Sequence, residues 1–256
     1  MQPKRYSESE NFLKQAEAVI PLGAQTFSKS KTQFPFGVSP YFATHAEGAY
    51  LYDVDDNKYL DFINSLAAIT LGYQDPDVLK SVKTQLEKGT IFSLSSTLEY
   101  EVAEKICDMV PCAEMVRFGK NGTDATSAAI RLARAFTGKD HVAVCGYHGW
   151  QDWYIGSTTR DLGVPKAVKN LTHTFEYNSL DSLETLLNQY DHQMAAVIME
   201  PVNVNLPAPG FLEGVQTLAK KHGAVFIFDE TITGFRFANG GAQEYFGVTP
   251  DLACFG

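Results

Sequence analysis

The sequence predicts an α/β fold, in which helices cover both faces of a mostly parallel sheet, with a small α+β segment at the N-terminus. Two observations predict it. From about residue 115 onwards, short apolar runs of strand length alternate with longer runs of helical periodicity, as in right-handed β–α–β crossovers. Before them, three short strand-like runs are separated by turn residues, which indicates an antiparallel meander.

The N-terminal segment begins with a predicted helix. Its capping box pairs Ser7 with Glu10, whose side chains would satisfy free N–H groups at the helix start. Pro21 ends this helix, since proline cannot continue it. Residues 22–40 are rich in Gly, Ser, Thr, Lys and Pro and are expected to form an extended loop. The strands of the meander are predicted at residues 41–45, 49–53 and 59–63.

The large domain is predicted from the alternation that follows. Its strands are expected at residues 115–118, 141–145, 172–175, 195–199, 224–228 and 252–255. Its helices are expected at residues 77–88, 97–109, 123–136, 180–189 and 211–221. We therefore predict a helix, loop and small antiparallel meander over residues 1–64, and a large α/β domain over residues 65–256.

Composition and charge argue against several classes of function. A formal net charge of -9 disfavours a nucleic-acid or anionic-membrane partner. No apolar run approaches the ~20 residues that span a bilayer, and the N-terminus lacks the apolar core of a signal peptide. The four cysteines are scattered without a C-x-x-C pair, so no metal site is predicted, and reduced thiols in the cytoplasm are expected.

The apolar run at residues 224–228 is followed directly by two carboxylates, Asp229 and Glu230. Parallel sheets place functional groups at the carboxyl ends of such strands. Desolvating a carboxylate there is costly unless a cation or hydrogen-bond donors meet it. Asp229 is therefore a candidate to bind a cationic ligand, whereas a helix N-cap or a pair with Arg236 would give it a purely structural role.

A glycine-containing turn follows the strand predicted at residues 115–118 and opens a helix. Free backbone N–H groups and the positive end of the helix dipole favour phosphate at such a helix start. Gly122 and Thr123 are the candidate ligands, although a plain helix start capped by Asn121 or Thr123 gives the same pattern. The spacing matches neither a Walker loop nor a G-x-G-x-x-G turn, which argues against a nucleotide-binding protein.

An aromatic residue and a histidine, Tyr147 and His148, lie between glycines after the strand at residues 141–145. Such a turn lets a flat ligand approach the backbone closely, whereas the structural alternative is a turn whose rings plug the sheet edge. A third polar segment, which includes Asn205, follows the strand at residues 195–199. Because the carboxyl ends of parallel strands share one edge, we predict a single site there for a flat, phosphorylated, cationic heteroaromatic ring.

Further motifs extend these candidates over nearly the whole chain. They comprise residues 48–55, 115–118, 121–125, 129–134, 147–149, 200–202, 209–213, 229–236 and 240–252. In these motifs the sequence resembles the class III (ω-type) aminotransferases of fold type I, which use pyridoxal 5′-phosphate (PLP), and especially their glutamate-1-semialdehyde aminomutase branch. The resemblance implies a PLP-dependent enzyme.

The resemblance also implies roles for individual residues. The implied cofactor-binding residues are Asn121, Gly122 and Thr123 at the phosphate, Tyr147 and Thr231 on the two ring faces, His148 beside Tyr147, Asn205 at the ring hydroxyl and Asp229 at the ring nitrogen. A lysine that forms a Schiff base with PLP would follow directly after Gly256, so the sequence is expected to be an N-terminal portion that lacks this lysine and the C-terminal domain.

The family further implies a homodimer with shared active sites. Candidate interface residues are Phe34, Phe36, Tyr41 and Phe42.

Departures from the aminomutase branch bear on the reaction. The loop at residues 23–31 lacks the arginine that this branch uses for the substrate carboxylate, which leaves Lys29 as the candidate. Leu66 replaces a usual tryptophan, and Asn205 stands where many ω-aminotransferases have a glutamate. We therefore expect an aminotransferase acting on an amino acid, amine or sugar-like substrate. The alternatives are a glutamate-1-semialdehyde 2,1-aminomutase and a non-catalytic PLP-fold module.

Overall fold

The computed structural model describes residues 5–256 and divides into two compact units. The first unit ends at Ser93, and the second runs from Leu94 to Gly256. The boundary between these units lies further along the chain than the domain boundary predicted after residue 64. The predicted domain boundary stays a prediction. No helix within residues 5–256 is long and apolar enough to cross a membrane.

The first unit contains the predicted antiparallel meander. Its strands are β1 (Ala43–Glu47), β2 (Tyr50–Asp53) and β3 (Lys58–Leu60), which pair in sequence order. Its helices are α1 (Ser7–Glu17), α2 (Asn64–Ala67) and α3 (Pro76–Lys88). The predicted loop carries three short 3-10 turns, at Pro21–Gly23, Phe27–Lys29 and Lys31–Gln33. The meander is thus confirmed, with strand ends that differ by a few residues.

The predicted capping box of α1 is wrong. The helix follows Tyr6, whose side chain makes no capping hydrogen bond. Instead, the carboxylate of Asp55 accepts hydrogen bonds from the backbone N–H groups of Glu8 (2.8 Å) and Ser9 (2.9 Å). Asp55 lies in the turn between β2 and β3, and a negative charge at a helix N-terminus also interacts favourably with the helix dipole. The cap therefore comes from a residue distant in the sequence.

The second unit contains the predicted parallel sheet. Its strands are β4 (His141–Cys145), β5 (Thr172–Thr174), β6 (Met194–Met199), β7 (Val225–Asp229) and β8 (Leu252–Cys254). They lie in the order β5-β4-β6-β7-β8, and every neighbouring pair is parallel. The helices of this unit are α4 (Thr97–Met109), α5 (Gly122–Thr137), α6 (Asp152–Ile155), α7 (Lys166–Lys169), α8 (Leu180–Gln189), α9 (Phe211–Lys221) and α10 (Ala242–Phe246).

Both faces of this sheet are buried, as the unbroken apolar runs predict. Alternate residues of β6 and β7 enter two separate cores. One core, shared with α8 and α9, takes Val197, Met199, Phe226 and Phe228. The other, shared with α5 and α6, takes Ala196, Ile198, Val225 and Ile227. The central strands are therefore held rigidly from both sides, which fixes the positions of the residues at their carboxyl ends.

The strand predicted at residues 115–118 is wrong. Among residues 5–256 this segment pairs with no strand. The side chains of Met115 and Phe118 are exposed. The apolar pattern suits a strand, but a strand also needs a neighbour for its backbone hydrogen bonds, and the pattern does not supply one.

Candidate functional site

The register of the sheet brings three strand ends to one level. Cys145 of β4 pairs with Met199 of β6, and Met199 pairs with Phe228 of β7. The next residue along each strand is Gly146, Glu200 and Asp229, respectively. The predicted common edge therefore exists, and its central position is taken by Glu200, to which sequence reasoning assigned no role.

Asp229 is held by two neighbours in a buried environment. Only 3% of its surface is exposed. Its Oδ2 lies 2.8 Å from Nδ1 of His148, and its Oδ1 accepts a hydrogen bond from the backbone N–H of Thr231 at 3.1 Å. The sequence offered a helix cap or Arg236 as structural partners, and the observed side-chain partner is His148. The Nε of Arg236 donates to the carbonyl of Ile232.

The tautomer of His148 follows from its partner. A carboxylate only accepts hydrogen bonds, so the proton between the two side chains belongs to Nδ1 of His148. The ring is buried, with 1% exposed, and its Nε2 has no hydrogen-bond partner among residues 5–256. Its backbone carbonyl accepts a hydrogen bond from Oγ1 of Thr126 at 2.8 Å. The His148 ring thus orients Asp229, and the backbone carbonyl of His148 is anchored to α5.

The start of α5 lies where the sequence predicted a helix-opening turn that could bind an anion. Asn121 caps the helix, because its side chain accepts from the N–H of Asp124 at 3.1 Å. Gly122 and Thr123 begin the helix, so their N–H groups have no acceptor within it. A Cβ on Gly122 would lie 2.9 Å from Oγ1 of Thr231, so glycine is needed at this approach. Asn121 therefore caps the helix, and the N–H groups of Gly122 and Thr123 are still free to bind a ligand.

Tyr147 and its neighbours lie on the same edge. The tyrosine side chain is 60% exposed and meets the edge of the Tyr154 ring at a centroid distance of 5.6 Å. Gly149 has a φ of 105° and packs so closely on Thr123 that a Cβ would overlap Oγ1 of that residue. The same Oγ1 accepts a hydrogen bond from the N–H of Trp150 at 3.3 Å. The aromatic turn and the start of α5 are thus in direct contact.

Glu200 is the functional candidate whose role sequence reasoning missed. Its Oε2 accepts hydrogen bonds from the backbone N–H of Tyr147 (3.0 Å) and from Nδ2 of Asn203 (2.5 Å). Burial raises the pKa of this carboxyl above its ordinary value, although the two hydrogen bonds and His148 oppose the rise. The signal in the sequence was a carboxylate directly after a buried strand, the same signal that drew attention to Asp229.

The remaining predicted residues are Asn205, Lys29 and the chain end at Gly256. Asn205 is exposed and lines a cavity of about 160 Å³. The other lining residues are Cys145, Gly146, Tyr177, Glu200, Asn203 and Val204. Lys29 belongs to the first unit, where it is exposed, and its substrate role stays a prediction. A Cβ on Gly256 would lie 2.8 Å from Cγ2 of Thr231 and 3.4 Å from Cα of Gly122.

The fold and the site define an α/β protein with a buried carboxylate, an exposed aromatic ring and a helix start with free N–H groups at the ends of parallel strands. Comparison with known proteins gives the family. The sequence model of the class-III aminotransferase family matches residues 34–256. The chain is 44% identical over 235 residues to glutamate-1-semialdehyde 2,1-aminomutase of Syntrophobacter fumaroxidans, an alignment that covers 86% of this chain and 54% of that protein.

Solved structures that resemble this chain include an omega-transaminase and a PLP-binding protein. An omega-transaminase from Sphaerobacter thermophilus is 31% identical with a TM-score of 0.87, over 97% of this chain and 60% of that one. The FumI protein of Sphingopyxis sp. MTA144, solved in a PLP form, is 28% identical with a TM-score of 0.91, over 98% of this chain and 61% of that one.

The chain belongs to the class-III aminotransferase family. The predicted resemblance and the fold type I architecture, a parallel central sheet covered by helices, are thereby confirmed. The chain spans about half the length of the curated aminomutase that it matches.

Proposed function

We propose that the full-length protein is a PLP-dependent aminotransferase, which transfers an amino group between an amino donor and a carbonyl acceptor. The observation that carries the proposal is the buried pair of Asp229 and His148 beside the start of α5. A buried carboxylate is stabilised by a cationic partner, and a protonated pyridine nitrogen is a suitable one. The family match and the PLP form of the FumI protein support the same cofactor.

The residues present fit PLP. The start of α5 has free N–H groups and no Cβ at Gly122, whose place is filled by Thr231. The proposed ligands are Asn121, Gly122 and Thr123 for the phosphate, Tyr147 and Thr231 for the ring faces, Asn205 for the ring hydroxyl, and Asp229, oriented by His148, for the ring nitrogen. When bound, PLP supplies an electron sink for electrons released at the substrate carbon.

The protein would contribute orientation and electrostatics. Asp229 would hold a proton at the ring nitrogen, because attraction between opposite charges is strong at a buried site. His148 and the N–H of Thr231 fix the two carboxylate oxygens, so little reorganisation is needed. The free N–H groups and dipole of α5 would bind the phosphate. The anchoring lysine stays a proposal, supported by the position of Gly256, where an added Cβ would lie 2.8 Å from Cγ2 of Thr231.

A second candidate reaction is intramolecular amino transfer by a glutamate-1-semialdehyde 2,1-aminomutase. The relative at 44% identity favours it. The loop at residues 23–31, which has lysines but no arginine, favours the aminotransferase. Assays of the full-length protein decide between them. An aminotransferase needs a separate amino donor and acceptor, whereas rapid formation of 5-aminolevulinate from glutamate semialdehyde alone would establish the aminomutase.

The cofactor itself is tested by titrating PLP into the full-length protein and recording absorbance. We expect saturable binding and a visible band that changes when an amine is added. A protein that binds PLP without any amine-dependent change would instead be the non-catalytic module. No change on adding PLP would overturn the proposal altogether.

We also propose a cytoplasmic homodimer with shared active sites. Of the four candidate interface aromatics, Phe34 and Phe36 are exposed. Tyr41 and Phe42 are half-buried, and Phe42 lies 6.0 Å from the ring of Phe12. Exposed aromatic residues are enriched at protein interfaces. Light scattering on the full-length protein should give twice the subunit mass, and a monomer at micromolar concentration would contradict the dimer.

A further inference from the structure

We propose that Glu200 is a positioning residue for Tyr147: its carboxylate, acting as a hydrogen-bond acceptor, fixes the backbone of the Gly146–Tyr147 turn and so sets where the tyrosine ring lies. That the ring stacks on PLP rests on the proposed function. The positioning itself rests on the geometry of this edge.

The turn that carries Tyr147 is attached at both ends. At its far end, His148 binds Asp229 through its ring and Thr126 through its carbonyl. At its near end, the N–H of Tyr147 donates to Oε2 of Glu200 at 3.0 Å. Oη of Tyr154 donates to the carbonyl of Gly146 at 2.7 Å, so Tyr154 holds the carbonyl side of this end and Glu200 holds the N–H of Tyr147.

Close packing shows that the turn is shaped around this carboxylate. Gly146 has a φ of 109°, in the left-handed region that favours glycine. A Cβ at this position would overlap Oε2 of Glu200. Asn203 fixes the same oxygen from the other side through its Nδ2 at 2.5 Å. Gly146, the Asn203 amide and the Glu200 carboxylate therefore pack together and depend on one another's positions.

The ring of Tyr147 has few contacts of its own. Its side chain is 60% exposed, and among residues 5–256 its recorded ring contact is the edge of Tyr154. Packing therefore does not determine the ring position, and the backbone must do so. The single acceptor that meets the backbone N–H of Tyr147 is on Glu200.

The experiment compares Glu200→Ala, Glu200→Gln and the wild type in the full-length protein. Glutamine retains an oxygen acceptor, and alanine does not. Hydrogen exchange of the Tyr147 amide, measured without PLP, should accelerate at least about tenfold in Glu200→Ala and stay near wild type in Glu200→Gln, because the side-chain acceptor of the Tyr147 N–H is lost in alanine alone. Glu184→Ala on the exposed face of α8 is the control.

PLP titration of the same proteins tests the consequence. We expect the dissociation constant to rise about tenfold or more in Glu200→Ala and to stay within about threefold in Glu200→Gln. The circular dichroism of the bound cofactor, which reports ring orientation, should fall in the alanine variant alone. Normal binding by Glu200→Ala overturns the proposal. So does equal loss in both variants with normal Tyr147 exchange, since the charge would then be what matters.

A second pair of variants covers a Glu200→Ala protein that fails to fold. Gly146→Ala drives a methyl group against Oε2 while leaving Glu200 in place, and should reproduce the loss of Tyr147 protection. Gly163→Ala is matched, because its φ is 87° but the added Cβ would meet no atom of residues 5–256 within 4 Å, and it should leave the protection intact. Unchanged exchange in Gly146→Ala counts against the proposal. A wild type that binds no PLP removes the proposed function, whereas exchange still decides the role of Glu200.

Discussion

His148 Nδ1 lies 2.8 Å from Oδ2 of Asp229, although the strands that carry these residues are not neighbours. His148 follows β4, Asp229 ends β7, and β6 lies between them with Glu200 at its end. The pair therefore closes over the end of the central strand. Of these three groups, His148 and Asp229 are buried, and Glu200 is half-buried at the wall of a cavity.

Replacing Asp229 with asparagine tests its charge. The amide keeps an oxygen for Thr231 but cannot balance a protonated ring nitrogen. We expect Asp229→Asn to retain the fold and lose transamination by about 10²–10³-fold, the size of a lost electrostatic contact in an active site. Steady-state kinetics of the full-length protein measure it, with Asp181→Asn, at an exposed position of α8, as the control. Near-normal turnover by Asp229→Asn would contradict the assignment of Asp229 to the ring nitrogen.

Replacing His148 with phenylalanine tests the orientation of the carboxylate. The ring volume is nearly kept, while Oδ2 of Asp229 loses its donor in a buried place. Leaving a buried acceptor unsatisfied costs about 1–3 kcal/mol. The free energy of unfolding in urea should fall by that amount relative to His192→Gln, a change at an exposed histidine. An unchanged midpoint would show that His148 does not stabilise the carboxylate.

Glu230 offers a structural contrast to Asp229. It is fully buried and accepts four hydrogen bonds, from Oγ1 of Thr233 (2.8 Å), the N–H of Ala242 (2.7 Å), and the N–H and Nε2 of Gln243 (both 3.1 Å). Glu230→Gln would turn an amide donor towards these donors, so we expect a loss of about 3 kcal/mol in unfolding free energy. Chemical denaturation measures it. Glu213→Gln on α9 is the control, and equal stability of both variants contradicts this account.

Sequence patterns predicted much of the second unit because its strands are buried on both faces. The bounds of β4, α8 and α9 match the prediction at every residue. Long apolar runs and helical periodicity can be read from short stretches of sequence, because the buried faces of strands and helices must be apolar. The helix start at Gly122 was likewise predictable, since a glycine turn between a run of apolar residues and a helix is a local pattern.

Features that depend on distant residues were not predictable in the same way. Residues 115–118 have a strand pattern but no partner strand among residues 5–256. Ser7 was expected to cap α1, and the cap comes from Asp55. The pairing of His148 with Asp229 depends on sheet order, which places β6 between them. Spacing along the chain carries no information on these contacts.

A stacked pair of histidines at the edge of the sheet predicts a pH effect on stability. Nδ1 of His141 lies 2.8 Å from Nε2 of His173, and the ring of Tyr190 stacks on His173 at 4.0 Å. Burial lowers the pKa of His173 below its ordinary value of 6.5, and a charge on His141 lowers it further. Two neutral imidazoles can share one N–H···N bond, whereas protonating both places like charges side by side.

The sign follows from this shift. The folded state prefers neutral His173, so its contribution to stability is complete above pH 6.5 and is lost as the pH falls through the lowered pKa. His173→Phe keeps the stacking on Tyr190 and removes the titration. Urea midpoints measured from about pH 8 to about pH 5 should therefore fall less steeply in His173→Phe than in the wild type. His45→Phe, at an exposed histidine of the first unit, should follow the wild-type slope, and identical slopes for all three proteins would refute the role of His173.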